Sequence, residues 1–223
     1  MLENVTVFHS SIRIEGSRII YFDPFKVKEK YNDADIIFIT HEHFDHYSPE
    51  DINKVIKEGT IIVAPNTMIS KINYDKVISV EPQKEYEVDG LNFSTIWSYN
   101  VNKKFHPKEN CWVGYIVELD GTKYYIAGDT DITEEAKNVK CDVALLPCGG
   151  TYTMDTKEAS ELANIIKPQI AVPTHYGEVS GSKEDGKEFV SLLDARIQGI
   201  IKIKWFQNYY IFVNYTVLNI LLW

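Results

Sequence analysis

Cysteine is scarce. The 223 residues hold three, Cys111, Cys141 and Cys148, with no CxxC spacing. That excludes a disulfide scaffold and makes a reducing cytoplasm the expected compartment. The opening MLENVTVFHS has neither a basic segment nor an apolar one, so no signal peptide is expected. No Pro/Gly/Ser-rich linker, low-complexity tract or GxSxG elbow interrupts the chain. Positive charge is also short. Lys and Arg total 23 against 32 Asp and Glu, a net charge of -9. Affinity for nucleic acid rests on cations that neutralise phosphates, so nucleic acid is a disfavoured partner. Bound divalent cations would offset part of that acidity.

What is present is a chain able to bury a sizeable core, 44% hydrophobic and 25% charged. β-rich runs occupy 5–8, 11–14 and 18–22. The continuous apolar run 35–40 suits a strand buried on both faces. Ser48-Pro49-Glu50-Asp51 reads as a helix start, with Ile52, Val55 and Ile56 as its apolar face. A strand is expected at 60–64. Asp89-Gly90 and Asp120-Gly121 each separate two β-rich runs, which predicts two hairpins with type I′ turns. Helices at 132–138, 156–166 and 183–194 then alternate with strands at 142–147, 169–172 and 199–204. This order fits sheets carrying helices on their outer faces, in one domain from 1 to 204.

Residues 205–223 contain no charged residue. Their length falls in the range of a membrane span, but Gln207, Asn208, Asn214 and Asn219 interrupt the apolar character. The favoured expectation is a terminal strand or amphipathic helix packed on the body or on a second copy of the chain. A membrane anchor and a reading-frame artefact are the alternatives.

The chemistry concentrates in HEHFDH, directly after the 35–40 run. His41, His43 and His46 fall within six residues, with Asp45 between the last two. Imidazole and carboxylate are ligands for zinc and neighbouring divalent metals. A helix would turn His43 away from His41 and Asp45; a loop can converge them. In a loop, 41 and 43 point together while 45 and 46 diverge, which suits two metals side by side. Further ligands must come from other strand ends. His106 in FHPKEN, Asp129 in AGDTD and His175 in VPTHYGE are the candidates. Taken alone, His175 is more often a satisfied polar residue and Asp129 a turn or cap residue; beside the first cluster, those odds reverse.

HEHFDH matches the HxHxDH signature of the metallo-β-lactamase superfamily, and His106, Asp129 and His175 follow in that superfamily's order. Within it, the chain resembles the L-ascorbate-6-phosphate lactonase-like metal-dependent hydrolases. HSSIRIEG, YFDPF, SYN with HPK, AGDTD, LLPCGGTYTM and PTHYGE carry the likeness, over residues 5–204. The resemblance implies a four-layer αββα sandwich of α/β class with a dinuclear site at one edge. His41, His43 and His106 would hold the first ion, Asp45, His46 and His175 the second, and Asp129 would bridge them. The donor set is all nitrogen and oxygen, open to zinc, manganese or iron. His43 stands where flavo-diiron relatives carry Glu, which disfavours redox chemistry.

Two ions roughly 3.5–4 Å apart would acidify a water between them, and the hydroxide would attack a carbonyl or phosphoryl centre, with Asp129 holding the water. A small-molecule lactone, ester or phosphodiester is the expected substrate. An RNA-processing nuclease and a non-enzymatic metal-binding protein are the alternatives. His9 is a candidate proton donor or substrate contact, against a structural role. Asp23 is a candidate partner for a ligand imidazole. Lys104 and Lys108 flank His106 and could attract an anionic substrate, although loop lysines are more often only solvated. Tyr152, Thr153 and Tyr176 are candidate pocket residues, with packing as the equal alternative.

Overall fold

A computed structural model describes residues 2–203. Three strands open the chain: β1 (Val5–Phe8), β2 (Ser11–Glu15) and β3 (Ile19–Phe22). β4 (Ala34–Phe38) follows, then helix α1 (Pro49–Val55), β5 (Ile56–Pro65) and β6 (Val77–Val80). These six strands form one sheet in chain order. The second sheet takes β7 (Glu85–Val88), β8 (Leu91–Trp97), β9 (Val113–Leu119), β10 (Thr122–Ile126) and β11 (Val143–Pro147). After α2 (Thr156–Ile166) come β12 (Ile170–Thr174), α3 (Asp185–Ser191) and β13 (Gln198–Gly199), which complete a seven-stranded sheet in the order 13-12-11-10-9-8-7.

Alternation along β4 shows how the layers stack. Ile36 and Phe38 face the core between the sheets, where Phe38 stacks on Phe22 at 5.0 Å and meets Phe93 and Tyr115 edge-on. Ile37 and Ile39 face outward and pack with Ile52 and Val55 of α1. Ala159, Leu162, Ala163 and Ile166 of α2 join the core around β11 and β12. Helix, sheet, sheet and helix therefore form the four-layer αββα sandwich. Both Asp-Gly pairs turn hairpins with positive φ at each residue: Asp89 51°, Gly90 79°, Asp120 50° and Gly121 76°.

Five elements differ from expectation. The helix expected over 132–138 is a single 3-10 turn, Ala136–Asn138, because the Thr133 hydroxyl caps the Ala136 amide at 3.0 Å and Val139 is already extended. The strand expected over 199–204 pairs only at Gln198–Gly199; the chain then leaves this sheet, and Ile203 bridges to Val7 of the other. The helix expected over 183–194 is limited to Asp185–Ser191. β5 begins at Ile56, earlier than the 60–64 run, and β6 was not anticipated. The uncharged tail at 205–223 lies outside the described residues. Among the described residues, no helix is long and apolar enough to cross a membrane.

Candidate metal centre

The candidate ligands lie on loops that leave strand ends. β4 runs directly into Thr40 and His41, β10 is followed by Gly128-Asp129, and β12 by His175. His106 sits on the loop between β8 and β9, and His9 on the two-residue turn between β1 and β2. Buried strands hold these ends rigidly, so side chains far apart in sequence meet at one edge.

Three of the eleven non-glycine residues with positive φ among the described residues lie here. His9 (52°), Asp23 (46°) and His175 (53°) adopt the left-handed region, which L residues enter at a cost of about 1–3 kcal/mol. The His175 amide donates to the His9 carbonyl at 3.0 Å, so two of these residues hold each other. Gly128 at φ 64° needs no such cost, and a Cβ there would come 3.1 Å from Ser98 Oγ and 3.2 Å from Thr40 Cβ.

The side chains converge in three trios: His41, His43 and His106; His41, His46 and Asp129, which shares His41 with the first; and His9, Asp45 and His175. In each, the nitrogen and oxygen atoms lie within 4.8 Å of one another. Asp129 is central. Its Oδ2 is 3.3 Å from His106 Nε2, 3.2 Å from His175 Nε2 and 4.0 Å from His41 Nε2, and its Oδ1 is 3.2 Å from His46 Nε2. One Asp45 oxygen faces His9 and His175, each at 3.2 Å, and His46 at 3.7 Å. The trio around Asp45 thus contains His9 where the family resemblance places His46. All are buried except His43, which is half-buried.

A second layer of contacts holds the far side of four of the imidazoles. His46 Nδ1 faces Asp23 Oδ2 at 2.8 Å, His41 Nδ1 the Thr40 hydroxyl at 3.0 Å, His106 Nδ1 Asn100 Oδ1 at 3.1 Å, and His175 Nδ1 the Ser180 hydroxyl at 3.3 Å. Asn100 Oδ1 also accepts from the His106 amide at 3.0 Å. Asp131 ties this loop down, accepting from the Val101 amide at 2.8 Å and Lys103 Nζ at 2.7 Å. Thr40, Asn100, Asp131 and Ser180 escape a motif search because hydroxyl, amide and turn carboxylate groups abound in loops. The one signal for two of them is position, Thr40 just before HEHFDH and Asn100 closing the SYN segment.

The electrostatics are those of clustered donors. Burial raises the cost of ionising Asp129, but His175 and His46 outweigh it and hold the carboxyl well below its ordinary range. Burial pushes His41 well down, with His46 adding to it. For His46, Asp129 and Asp23 overcome burial and push it well up; for His175, Asp129 does the same, up to about 9. Burial lowers His9 to about 4. His46 Nε2, His106 Nε2 and Asp129 Oδ1 are buried without a satisfactory hydrogen bond, although the first and last face each other. Buried polar atoms in this state need a partner, and a divalent cation among imidazoles and carboxylates supplies one. The residues fit a metal.

The remaining candidates are distributed unevenly. Tyr152 is half-buried and meets Phe105 edge-on at 4.8 Å, beside the His106 loop. Thr153 is buried, its hydroxyl donating to the Met154 carbonyl. Tyr176 is buried beneath Gly186 of α3. Lys108 Nζ pairs with Glu135 at 2.7 Å over the rings of Tyr99 and Trp97. Lys104 is exposed.

Comparison with known proteins agrees with this architecture. Residues 6–175 match the model of the beta-lactamase superfamily domain. A UPF0173 metal-dependent hydrolase of Thermococcus onnurineus is 31% identical over 210 residues, covering 86% of this chain and 92% of the relative. One of Thermoplasma acidophilum is 31% identical over 213 residues, with the same coverage of 86% and 92%. Among solved structures, one described as a metal-dependent hydrolase from Parabacteroides distasonis superposes with a TM-score of 0.79 at 31% identity, covering 90% of this chain and 93% of the other. A metallo hydrolase from Ignicoccus hospitalis shares the fold, with a TM-score of 0.71 at 24% identity over 90% of this chain and 95% of the other. The chain belongs to the metallo-β-lactamase superfamily, among its UPF0173 metal-dependent hydrolases. It is a metal-dependent hydrolase.

Proposed function

We propose that the chain is a dinuclear hydrolase of a small-molecule ester, lactone or phosphodiester. The observation that carries this is the convergence on Asp129 of four imidazoles from three separate chain segments, with buried nitrogen and oxygen atoms left unsatisfied. Three trios, two of them sharing His41, provide more donors than one tetrahedral ion takes. His41, His43 and His106 would hold one ion. Asp45, His46 and His175 would hold the other, and Asp129 would lie between. Zinc, manganese and iron all suit this donor set.

Bound divalent ions would supply Lewis acidity toward a carbonyl or phosphoryl oxygen and lower the pKa of water. The chain's own residues do the rest. Asp23, Thr40, Asn100 and Ser180 orient the imidazoles. Asp129 and Asp45, both kept ionised by the surrounding imidazoles, hold negative charge at the centre. His9, against Asp45, is placed to hydrogen-bond substrate or pass a proton. Substrate approaches past half-buried His43. The net charge of -9 favours a small molecule over nucleic acid, and the three unpaired thiols fit a cytoplasmic setting.

The test is Asp129→Ala, assayed with a chromogenic ester and bis(p-nitrophenyl) phosphate after metal loading. Wild type should bind two equivalents of metal by mass spectrometry and turn over one of the two substrates. The variant should keep its fold, lose metal, and slow by about a thousandfold or more, since each 1.4 kcal/mol of transition-state stabilisation is tenfold in rate. Wild-type turnover in the variant would overturn the proposal. Inertness of fully metallated wild type on both substrate classes would favour a metal-binding protein without catalysis.

A further inference from the structure

The open side of the centre is framed by exposed aromatic residues. Of the candidate ligands only His43 is half-exposed, so the mouth lies there. Phe44, the next residue, is 66% exposed. Phe105, just before His106, is 42% exposed. The rings of His43 and His106 are 4.9 Å apart, so both phenylalanines spring from the same part of the rim. Phe44 meets Phe25 edge-on at 5.9 Å, and Phe25 lies 6.1 Å from the His9 ring. Phe105 meets Tyr152 edge-on at 4.8 Å. An isolated exposed apolar side chain needs no explanation. Here, however, three of the seven large hydrophobic residues exposed among the described residues, Phe44, Val101 and Phe105, sit on the two loops that carry His41–His46 and His106.

The charges around the mouth argue the same way. Lys103 is held by Asp131 and Glu158, Lys108 by Glu135, and Lys26 by Glu178. All three arginines pair elsewhere, Arg13 with Asp33, Arg18 with Asp89 and Arg196 with Asp194. Lys104 is left as the cation of that loop with no carboxylate partner among the described residues. An anionic substrate group would find one exposed lysine; an apolar group would find two edge-to-face aromatic pairs.

We propose that the site acts on a neutral ester or lactone whose acyl or aryl group lies against Phe44 and Phe105. This deepens the hydrolase proposal and rests on it. The reaction consumes one water, breaks the acyl C–O bond, and yields a carboxylic acid and an alcohol, with no change of oxidation state.

The test uses the manganese-loaded full chain and p-nitrophenyl acetate, butyrate and octanoate, with Asp129→Ala for background. Mono-p-nitrophenyl glutarate is the anionic counterpart of the butyrate. Wild type should favour octanoate over acetate in kcat/KM by about tenfold or more, since one methylene in a closed apolar pocket is worth about that much and this rim is open. It should favour butyrate over glutarate. Both phenylalanines are exposed, so Phe44→Ser/Phe105→Ser should melt like wild type, while its octanoate-to-acetate ratio falls toward one through a higher KM for octanoate. A wild-type ratio of one or less, a preference for glutarate, or a ratio unchanged in the double variant would overturn the proposal. If the loaded protein cleaves none of these esters, the hydrolase proposal fails in its ester form. The rim is then tested by saturation-transfer NMR with octan-2-one and butan-2-one. Preference for octan-2-one, lost in the double variant, supports the apolar subsite; equal binding overturns it.

Discussion

Asp23 Oδ2 lies 2.8 Å from His46 Nδ1, and the same oxygen accepts from the Thr40 hydroxyl at 2.6 Å. Its other oxygen accepts from the Thr40 amide at 2.8 Å. One buried carboxylate thus sets the orientation of His46 and of the backbone that delivers His41. Burial raises its pKa, with His46 acting against that, so the carboxylate depends on these contacts for its place in the fold. Asp23→Ala should remove the carboxylate partner of His46 Nδ1 and of the Thr40 hydroxyl and amide, leaving the Thr40 hydroxyl as the remaining neighbour of both His41 Nδ1 and His46 Nδ1. Contacts of this kind are worth about 10- to 100-fold in metal affinity. Competition with a chromogenic chelator should show a loss of that size. An affinity within twofold of wild type would remove Asp23 from any positioning role.

The close packing of Gly128 against Thr40 and Ser98 predicts a second outcome. Gly128→Ala places a side chain at φ 64° and a Cβ within 3.2 Å of Thr40. The left-handed conformation alone costs about 1–2 kcal/mol, and relief of the contact must move either the Asp129 turn or Thr40. Melting of the metal-free protein should fall by roughly 4–8 °C, with weaker metal binding alongside. A variant that melts with wild type would show that the turn has room that the packing denies.

How far the residues announce these arrangements differs from element to element. β4 is legible because a strand covered on both faces is apolar throughout, so the layer order follows from Ile36 and Ile37 facing opposite ways. The two hairpins are legible because Asp-Gly chemistry fixes the turn locally. The clustering of the candidate ligands is legible because imidazoles and carboxylates on loops at strand ends carry their chemistry in their identity. β6 is not, since only Val80 of its four residues is buried and its pairing with β5 is supplied by the sheet. The contact of Asn100 with His106 depends on how Asp131 folds the intervening loop back, a relation no local pattern encodes. His9 reaches Asp45 across 36 residues because the β1–β2 turn meets the end of β12, and that meeting is a property of the sandwich.

Asp51 links α1 to the segment bearing Phe25 and predicts an acid-sensitive contribution. Its carboxylate accepts from the amides of Lys26 and Val27, each at 2.9 Å, from the Ser48 hydroxyl at 2.8 Å and from Lys54 at 2.9 Å. Burial alone would raise its pKa, but Lys54, Ser48 and the Lys26 amide outweigh that and hold it below the usual carboxylate range. A pKa depressed in the folded state gives stability that is complete above the unfolded value of about 3.9 and is lost as pH falls through the lower folded value. At pH 7, Asp51→Ala should therefore cost about 2 kcal/mol, the scale of hydrogen bonds to a charged group. At pH 3 the gap between variant and wild type should narrow, because the wild-type carboxylate is losing its advantage. Urea unfolding of the metal-free protein at the two pH values measures both. A gap that stays constant or widens in acid would show that Asp51 acts through its size or its helix position, and that its charge contributes nothing to holding Phe25 beside the centre.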